Sequence, residues 1–259
     1  MHRSLRAVLP GLILLFGGML SGCASLTQSL KNQPCVPAAG RSFDVVAVDL
    51  DRHDLRLFWK QPDGTPFLTF DRVRAWVADR GDSLIAVTNA GIYEPGYFPT
   101  GLFIEDGDVR RPLNLDEGRG NFFLKPNGVF FITDDGAGIV ESSHFEQVAG
   151  AVRYATQSGP LLVSGGGVHP AFTPGSQNCR LRSGIGVGDD GTVYLVISNG
   201  AVNFHDFATF FKEELGCRDA LYLDGAISGL YAPTLSRFDR EGKFAGIIAI
   251  LLKRKGSIP

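Results

Sequence analysis

The chain has 259 residues, 44% of them hydrophobic and 20% charged, with 33 glycines and a formal net charge of −2. That balance excludes a disordered chain, which needs low hydrophobicity and high net charge, and a collagen-like one, since the glycines keep no three-residue period. It offers no basic surface for nucleic acid, and its apolar content suffices for a core without metal or disulfide staples.

The amino end reads as an address. Arg3 and Arg6 precede the apolar run Val8–Leu20, whose 13 residues suit a signal-peptide core and are too few to span a bilayer comfortably. The run closes on Leu20-Ser21-Gly22-Cys23, which is similar to a bacterial lipobox. Residues 1–22 are therefore expected to be a lipoprotein signal peptide, and Cys23 the lipidated new amino terminus that attaches the protein to a membrane. Cleavage would leave 237 residues and, with both arginines gone, a charge of −4. Ala24 rather than Asp follows Cys23, which by the usual bacterial sorting pattern favours the outer membrane, facing the periplasm. Residues 23–42 are rich in Ser, Gln, Asn, Pro and Ala and read as a tether. One domain is expected over 43–259.

Alternation and β-branched or aromatic runs predict strands at Phe43–Leu50, Leu55–Trp59, Leu84–Asn89, Gly101–Glu105 and Gly128–Thr133. Six more are predicted at Tyr154–Thr156, Leu161–Val163, Gly184–Val187, Val193–Ser198, Ala220–Leu223 and Gly246–Leu252. Asp63-Gly64, Asp106-Gly107, Asn127-Gly128, Asp135-Gly136 and Asp190-Gly191 fall between runs and supply the positive φ of tight hairpins. The expected fold is α+β, a mixed but mostly antiparallel twisted sheet with few helices. Helices are predicted at Phe70–Arg80 and Asn203–Leu215. The second carries Phe204, Phe207, Ala208, Phe211 and Leu215 on one stripe, with Asn203 at the N-cap and Gly216 at the stop. Val45-Val46-Ala47-Val48-Asp49-Leu50-Asp51 is similar to the paired aspartates of haloacid-dehalogenase-type phosphatases. A strand resumes at once, however, so Asp51 to Asp54 reads as a hairpin turn.

The carboxyl-terminal third permits a geometric argument. Gly184–Val187 and Val193–Ser198 form a hairpin; Val193–Ser198, the helix and Ala220–Leu223 read as a β-α-β unit with parallel strands. Antiparallel then parallel order brings Arg182, Asn199 to His205 and Asp224 to one sheet edge. Strand ends beside a helix amino terminus commonly hold ligands, especially anions. The same geometry sends Cys217 to the edge opposite Cys179, too far for a bridge. Cys35–Cys179 is then the favoured disulfide in an exported protein, without the sequence fixing it.

Asp224, before Gly225, is a carboxylate at the lip of the sheet or a turn aspartate. Arg182 could hold a phosphate or carboxylate in its fork, or close a strand end. His205 sits at the convergent edge; His53, His144 and His169 are scattered, without zinc spacing. Asn89 and Gly91 lie in a glycine-bearing loop suited to a polar ligand, and Ser158 and Gly159 between two strands. Ser158 lacks the G-x-S-x-G context of a serine hydrolase.

Asn89-Ala90-Gly91-Ile92-Tyr93, Ser158-Gly159-Pro160-Leu161-Leu162-Val163, Arg182-Ser183-Gly184-Ile185-Gly186-Val187 and Leu221-Tyr222-Leu223-Asp224-Gly225, taken in order, resemble the phosphodiester glycosidase family. The strings Ala155–Pro160 and Asn203–Ala208 resemble most an uncharacterised exported bacterial branch of it. The resemblance implies hydrolysis of a sugar-1-phosphodiester at the anomeric carbon. It makes Asp224 the carboxylate, Arg182 and the Asn203 end of the helix the phosphate anchor, and Asn89, Ser158, His205 and Ser228 the groups orienting sugar or water. The family's Asn-Gly-Gly stands here as Asn89-Ala90-Gly91, and its glycine run after the aspartate as Gly225-Ala226-Ile227-Ser228-Gly229; both changes are expected to narrow the pocket. No cofactor motif is evident, though Asp224 and neighbouring amides could hold a calcium-like ion. The partner expected is a carbohydrate phosphodiester or envelope glycan. A non-catalytic envelope module binding glycan or glycan-phosphate at the same edge is the competing reading.

Overall fold

A computed structural model describes residues 34–37, 40, 42–148, 150–225 and 227–254. The expected signal peptide, the expected lipidated Cys23 and residues 24–33 lie outside the described residues. None of the described helices is long and apolar enough to cross a membrane.

Three sheets surround one core, and every ladder in them is antiparallel. The first runs Phe43–Val48, Val193–Ser198, Ser183–Gly188, Cys217–Asp224, Leu161–Ser164, Gly167–Val168. The second runs Asp108–Arg111, Phe103–Glu105, Tyr154–Ser158, Gly128–Thr133, Gly136–Glu141. The third runs Arg237–Phe238, Leu230–Ala232, Leu84–Asn89, Ile247–Leu252, His53–Phe58. A strand's two-residue period sends alternate side chains to opposite faces. Ile248 and Ile250 accordingly enter the shared core with Leu221, Leu223 and Ile185. Ile247, Ala249 and Leu251 turn outward to the helix Phe70–Ala78. On the first sheet, Ala220 and Tyr222 face the other helix, Phe204–Thr209, which continues as a π-helical turn over Phe210–Glu214.

Two expected turns take a different form. Phe43–Val48 and His53–Phe58 belong to different sheets, so Asp49–Arg52 is a tight corner between sheets and not a hairpin; His53 N–H closes it on the Asp49 carbonyl (2.8 Å). Asn127 is buried and donates to the Phe122 carbonyl (2.8 Å), while Gly128 opens a strand where a Cβ would press on Leu161. Glycine serves close packing there, not positive φ.

The β-α-β expectation is corrected in one respect. Val193–Ser198 and Cys217–Asp224 do run in the same direction, but Ser183–Gly188 lies between them, paired antiparallel with both. Gly184 and Gly186 explain the insertion. A Cβ on Gly184 would stand 3.1 Å from the Phe207 and Phe211 rings, and one on Gly186 2.7 Å from Phe211. The missing side chains let the helix lie directly on the central strand.

Cys35 is bonded to Cys179, with Cα atoms 5.2 Å apart, as favoured from the sequence. Cys217 pairs across from Gly188 at the opposite edge and is a buried free thiol. The stretch read as a tether is thus fastened at Cys35, and Val36 N–H adds a bond to the Ala201 carbonyl (2.9 Å). The bridge closes a loop of 144 residues. Cys35→Ser is therefore expected to lower unfolding free energy by about 2–4 kcal/mol, measured by urea titration with and without reductant.

Burial also pushes the Glu105 carboxyl up to about 7 against the pull of Arg110. The folded chain then holds a proton on Glu105 from its ordinary 4.5 up to about 7, where the unfolded chain has released it. Stability is full below the lower value and falls as pH rises through the upper one. Glu105→Gln should raise the melting temperature at pH 8, with the gain shrinking towards pH 4.5.

Candidate active site

The edge predicted from strand direction exists. Ser183 pairs with Ile197 on one side and Asp224 on the other. Arg182 N–H donates to Ser198 Oγ (2.9 Å), and Ser198 N–H to the Arg182 carbonyl (2.9 Å). Arg182, Ser198 and Asp224 therefore meet at one end of the first sheet.

Residues far apart in sequence lock the Asp224 backbone there. Asn89, at the last position of a third-sheet strand, donates from Nδ2 to Ser183 Oγ (3.0 Å) and accepts from Gly229 N–H (3.3 Å). Ser183 Oγ lies 3.2 Å from the Asp224 carbonyl, and Ser228 Oγ lies 2.8 Å from that carbonyl and 3.1 Å from Ser183 Oγ. Ser158 Oγ donates to the Leu223 carbonyl (3.2 Å) and accepts from Ile92 N–H (3.4 Å). Gly91 has φ +131°, and a Cβ there would stand 3.2–3.4 Å from Ser158 and Thr156. A Cβ on Gly159 would press on Asn127 and the Phe122 carbonyl; one on Gly225 would collide with the Tyr222 hydroxyl and meet the Leu181 carbonyl at 3.1 Å. All three glycines permit close approach. Ala90, by contrast, is 1% exposed and part of the shared core, so its methyl does not narrow the edge as expected.

Arg182 is placed differently from a ligand-gripping fork. Only 1% of it is exposed. Its Nε donates to the Val202 carbonyl (2.8 Å), Nη2 to the Asn178 carbonyl (2.9 Å), and its Cζ lies 3.6 Å from the centre of the Phe204 ring. No carboxylate pairs with it among the described residues. Burial lowers its pKa, yet a guanidinium keeps its proton, so a positive charge is enclosed beneath the edge. The guanidinium also lies close enough to the Tyr222 phenol to favour its ionised form, but burial outweighs this and, with the Asp224 charge, holds Tyr222 protonated.

The helix amino terminus is occupied too. Asn203 caps it, accepting from Asp206 N–H (2.8 Å) and donating Nδ2 to Asp206 Oδ2 (2.6 Å). A carboxylate thus already sits where the anchor was expected, and it would repel a phosphate. His205 Nδ1 is buried without a hydrogen-bond partner, 3.8 Å from Asp206 Oδ1. Sequence reasoning passed over several neighbours. Tyr93 feels Asp224 and Tyr97 as well as burial, which together push its phenol up to about 12, and it donates to the Lys243 carbonyl (2.6 Å). Arg180 lies near enough to Arg182 to lower its pKa. Among the described residues, no group of three or more His, Cys, Asp or Glu is placed to hold a metal ion.

Residues 82–244, which include Asn89, Ser158, Arg182 and Asp224, match the phosphodiester glycosidase family. The chain belongs to that family. Phosphodiester glycosidases act on glycosyl phosphodiesters. The chain is 36% identical over 177 residues to the uncharacterized protein YigE of Escherichia coli K12, a span of 68% of this chain and 69% of that one. Its fold is similar to the catalytic domain of zebrafish N-acetylglucosamine-1-phosphodiester alpha-N-acetylglucosaminidase auto-inhibited by its pro-peptide. That match has TM-score 0.59 and 15% identity over 86% of this chain and 81% of the other. A hypothetical protein from Synechocystis matches with TM-score 0.52 and 15% identity, over 85% of this chain and 61% of that one.

Proposed function

We propose that this phosphodiester glycosidase hydrolyses a sugar-1-phosphodiester at the anomeric carbon, releasing sugar and a phosphomonoester, in cell-envelope glycan metabolism. The observation that carries the reading is the convergence of four separated segments on Asp224, through Asn89, Ser158, Ser183 and Ser228. A phosphate leaving group is already a stabilised anion, so the site needs little general-acid help. It needs negative charge beside an oxocarbenium-like carbon and donors for the departing oxygens. Asp224 supplies the first. Tyr222 supplies a proton donor, with Arg182 as the positioning residue behind it, and Arg180, close enough to Arg182 to lower its pKa, adds a positive charge for the phosphate. His205 orients sugar or water.

The test is a panel of sugar-1-phosphodiesters differing in sugar and anomer, with free sugar and phosphomonoester followed together. Release of both products by wild type and not by Asp224→Asn supports the reading. Binding without turnover across the panel replaces it with a non-catalytic glycan-binding module.

We further propose that the protein is an exported lipoprotein anchored through Cys23 in the outer membrane. The charged start, short apolar run and lipobox-like close support this. Cells expressing the chain should incorporate labelled palmitate into it and carry it in the membrane fraction. Cys23→Ala should abolish both.

A further inference from the structure

Asn89 and Arg237 each join the third sheet to the first near Asp224. The Asn89 contact is its bond to Ser183 (3.0 Å). Arg237 stands on the edge strand Arg237–Phe238, and its Nη1 donates to Asp44 Oδ2 (2.8 Å) and to Asn199 Oδ1. Asn199 Nδ2 closes that side by donating to Asp44 Oδ1 (3.1 Å). On the third-sheet side, Arg237 Nε donates to Asp239 Oδ2 (2.9 Å), and the same oxygen accepts from Leu230 N–H (3.0 Å). Asp239 N–H returns a bond to the Leu230 carbonyl (3.2 Å). Burial works to raise the Asp44 carboxyl, but the bonds from Arg237 and Asn199 hold it below its usual range. One planar fork thus serves partners on two sheets.

The strand register ties this clasp to the site. Asp44 pairs with Ile197, Ile197 with Ser183, and Ser183 with Asp224, so the four form one row across the first sheet. Strands stand about 4.8 Å apart, which puts Asp44 roughly 14 Å from Asp224 along the row. Asn89 holds the row at Ser183 and Arg237 holds it at Asp44. A single contact would let the row pivot; two fix its angle to the third sheet.

The segment that crosses between the sheets depends on that angle. Gly229 is held by third-sheet side chains: Thr88 Oγ1 donates to its carbonyl (2.8 Å), and Asn89 Oδ1 accepts from its N–H (3.3 Å). Ser228 next to it reaches the Asp224 carbonyl on the first sheet (2.8 Å). Leu230 on the other flank is pinned by Asp239, itself gripped by Arg237. The Arg237 side chain is 17% exposed, and those of Asp44 and Asp239 are 27% and 34%. Ion pairs so open to water add little to global stability. The clasp therefore sets an angle and does not hold the fold together.

We infer that Arg237 is a positioning residue for Asp224, fixing the orientation of its carboxylate by clasping the third sheet to the first. The consequence for catalysis rests on the reading of Asp224 proposed above; the effect on orientation does not.

Arg237→Met tests this in the full chain, since it keeps the aliphatic stem and removes the fork. Gly225 N–H donates to Asp224 Oδ1, so its amide signal in NMR reports that carboxylate. The signal should shift in Arg237→Met, and hydrogen exchange at Gly229 and Leu230 should quicken at least tenfold. Exchange in the strand Gly128–Thr133 and the melting temperature should stay close to wild type. On the glycosyl phosphodiester that wild type turns over fastest, kcat should fall about tenfold with KM little changed, as expected of a misplaced reacting group. Asp44→Asn weakens the clasp from the first sheet and should move the same readings in the same direction; should Arg237→Met fail to fold, it decides alone. The double variant should lose little beyond Arg237→Met. The inference falls if the Gly225 and Gly229 amides are unchanged, if exchange quickens throughout the chain, or if an active enzyme keeps its kcat. If wild type hydrolyses nothing while those amides move in the variants, the clasp stands and only the reading of Asp224 is lost.

Discussion

Asp224→Asn is expected to lower kcat/KM for glycosyl phosphodiester hydrolysis by roughly 10²–10⁴-fold, with the melting temperature close to wild type. The substitution keeps the size of the side chain and leaves intact the backbone carbonyl that Ser183 and Ser228 hold. What disappears is the negative charge beside the carbon that becomes cationic. An amide presents only a dipole there, so the loss should fall mainly on kcat, since the ground-state sugar carries no charge at that carbon. Single-turnover kinetics on the best substrate of the panel would separate the chemical step from binding. Unchanged turnover would remove Asp224 from the mechanism.

Arg182→Ala should destabilise the fold by about 3–5 kcal/mol, since it removes a fully buried side chain that bonds two carbonyls and opens a cavity against Phe204. The Asn178 carbonyl loses its side-chain donor, and the Val202 carbonyl keeps only the Arg180 N–H. The loss should appear in urea melts as a lower midpoint, at every pH where the protein folds, because a guanidinium does not titrate in that range. Arg182→Lys distinguishes support from chemistry. A lysine restores the charge and some of the bonds but cannot lie flat on the Phe204 ring while reaching two carbonyls. It should recover most of the stability; kcat should stay depressed if Arg182 acts through Tyr222.

These residues also show how far the sequence could be followed. Leu84–Asn89, Gly128–Thr133 and Val193–Ser198 form as predicted because β-branched and aromatic residues dominate them. Asp108–Arg111 escaped notice because it is a charged edge strand whose partner alone makes it a strand. Gly136–Glu141 is too rich in small residues to show a period of two. Chain direction sufficed to bring Arg182 and Asp224 together. Which way the guanidinium points depends on Val202, Asn178 and Tyr222, and no local pattern announces such partners. Tyr222 was within reach of the sequence: it stands two residues before Asp224 on the same strand. The loop at Asn114 depends on Gln157 meeting it, a contact that only the folded chain creates.

On the proposed lipid anchoring at Cys23, the Cys35–Cys179 bridge would set how high the protein stands above a bilayer. With Cys23 acylated as proposed, twelve peptide steps separate the lipid from the bridge, an extended leash of about 40 Å. Without the bridge and the bond at Val36, the leash would run on to the first strand at Phe43, giving about 70 Å. Its point of attachment, Cys179, is the neighbour of Arg180 and close in the chain to Arg182, on the side of the molecule that carries Asp224. The oxidised protein would therefore work a thin shell of envelope next to the membrane, with its edge leading. Reduction would widen that shell.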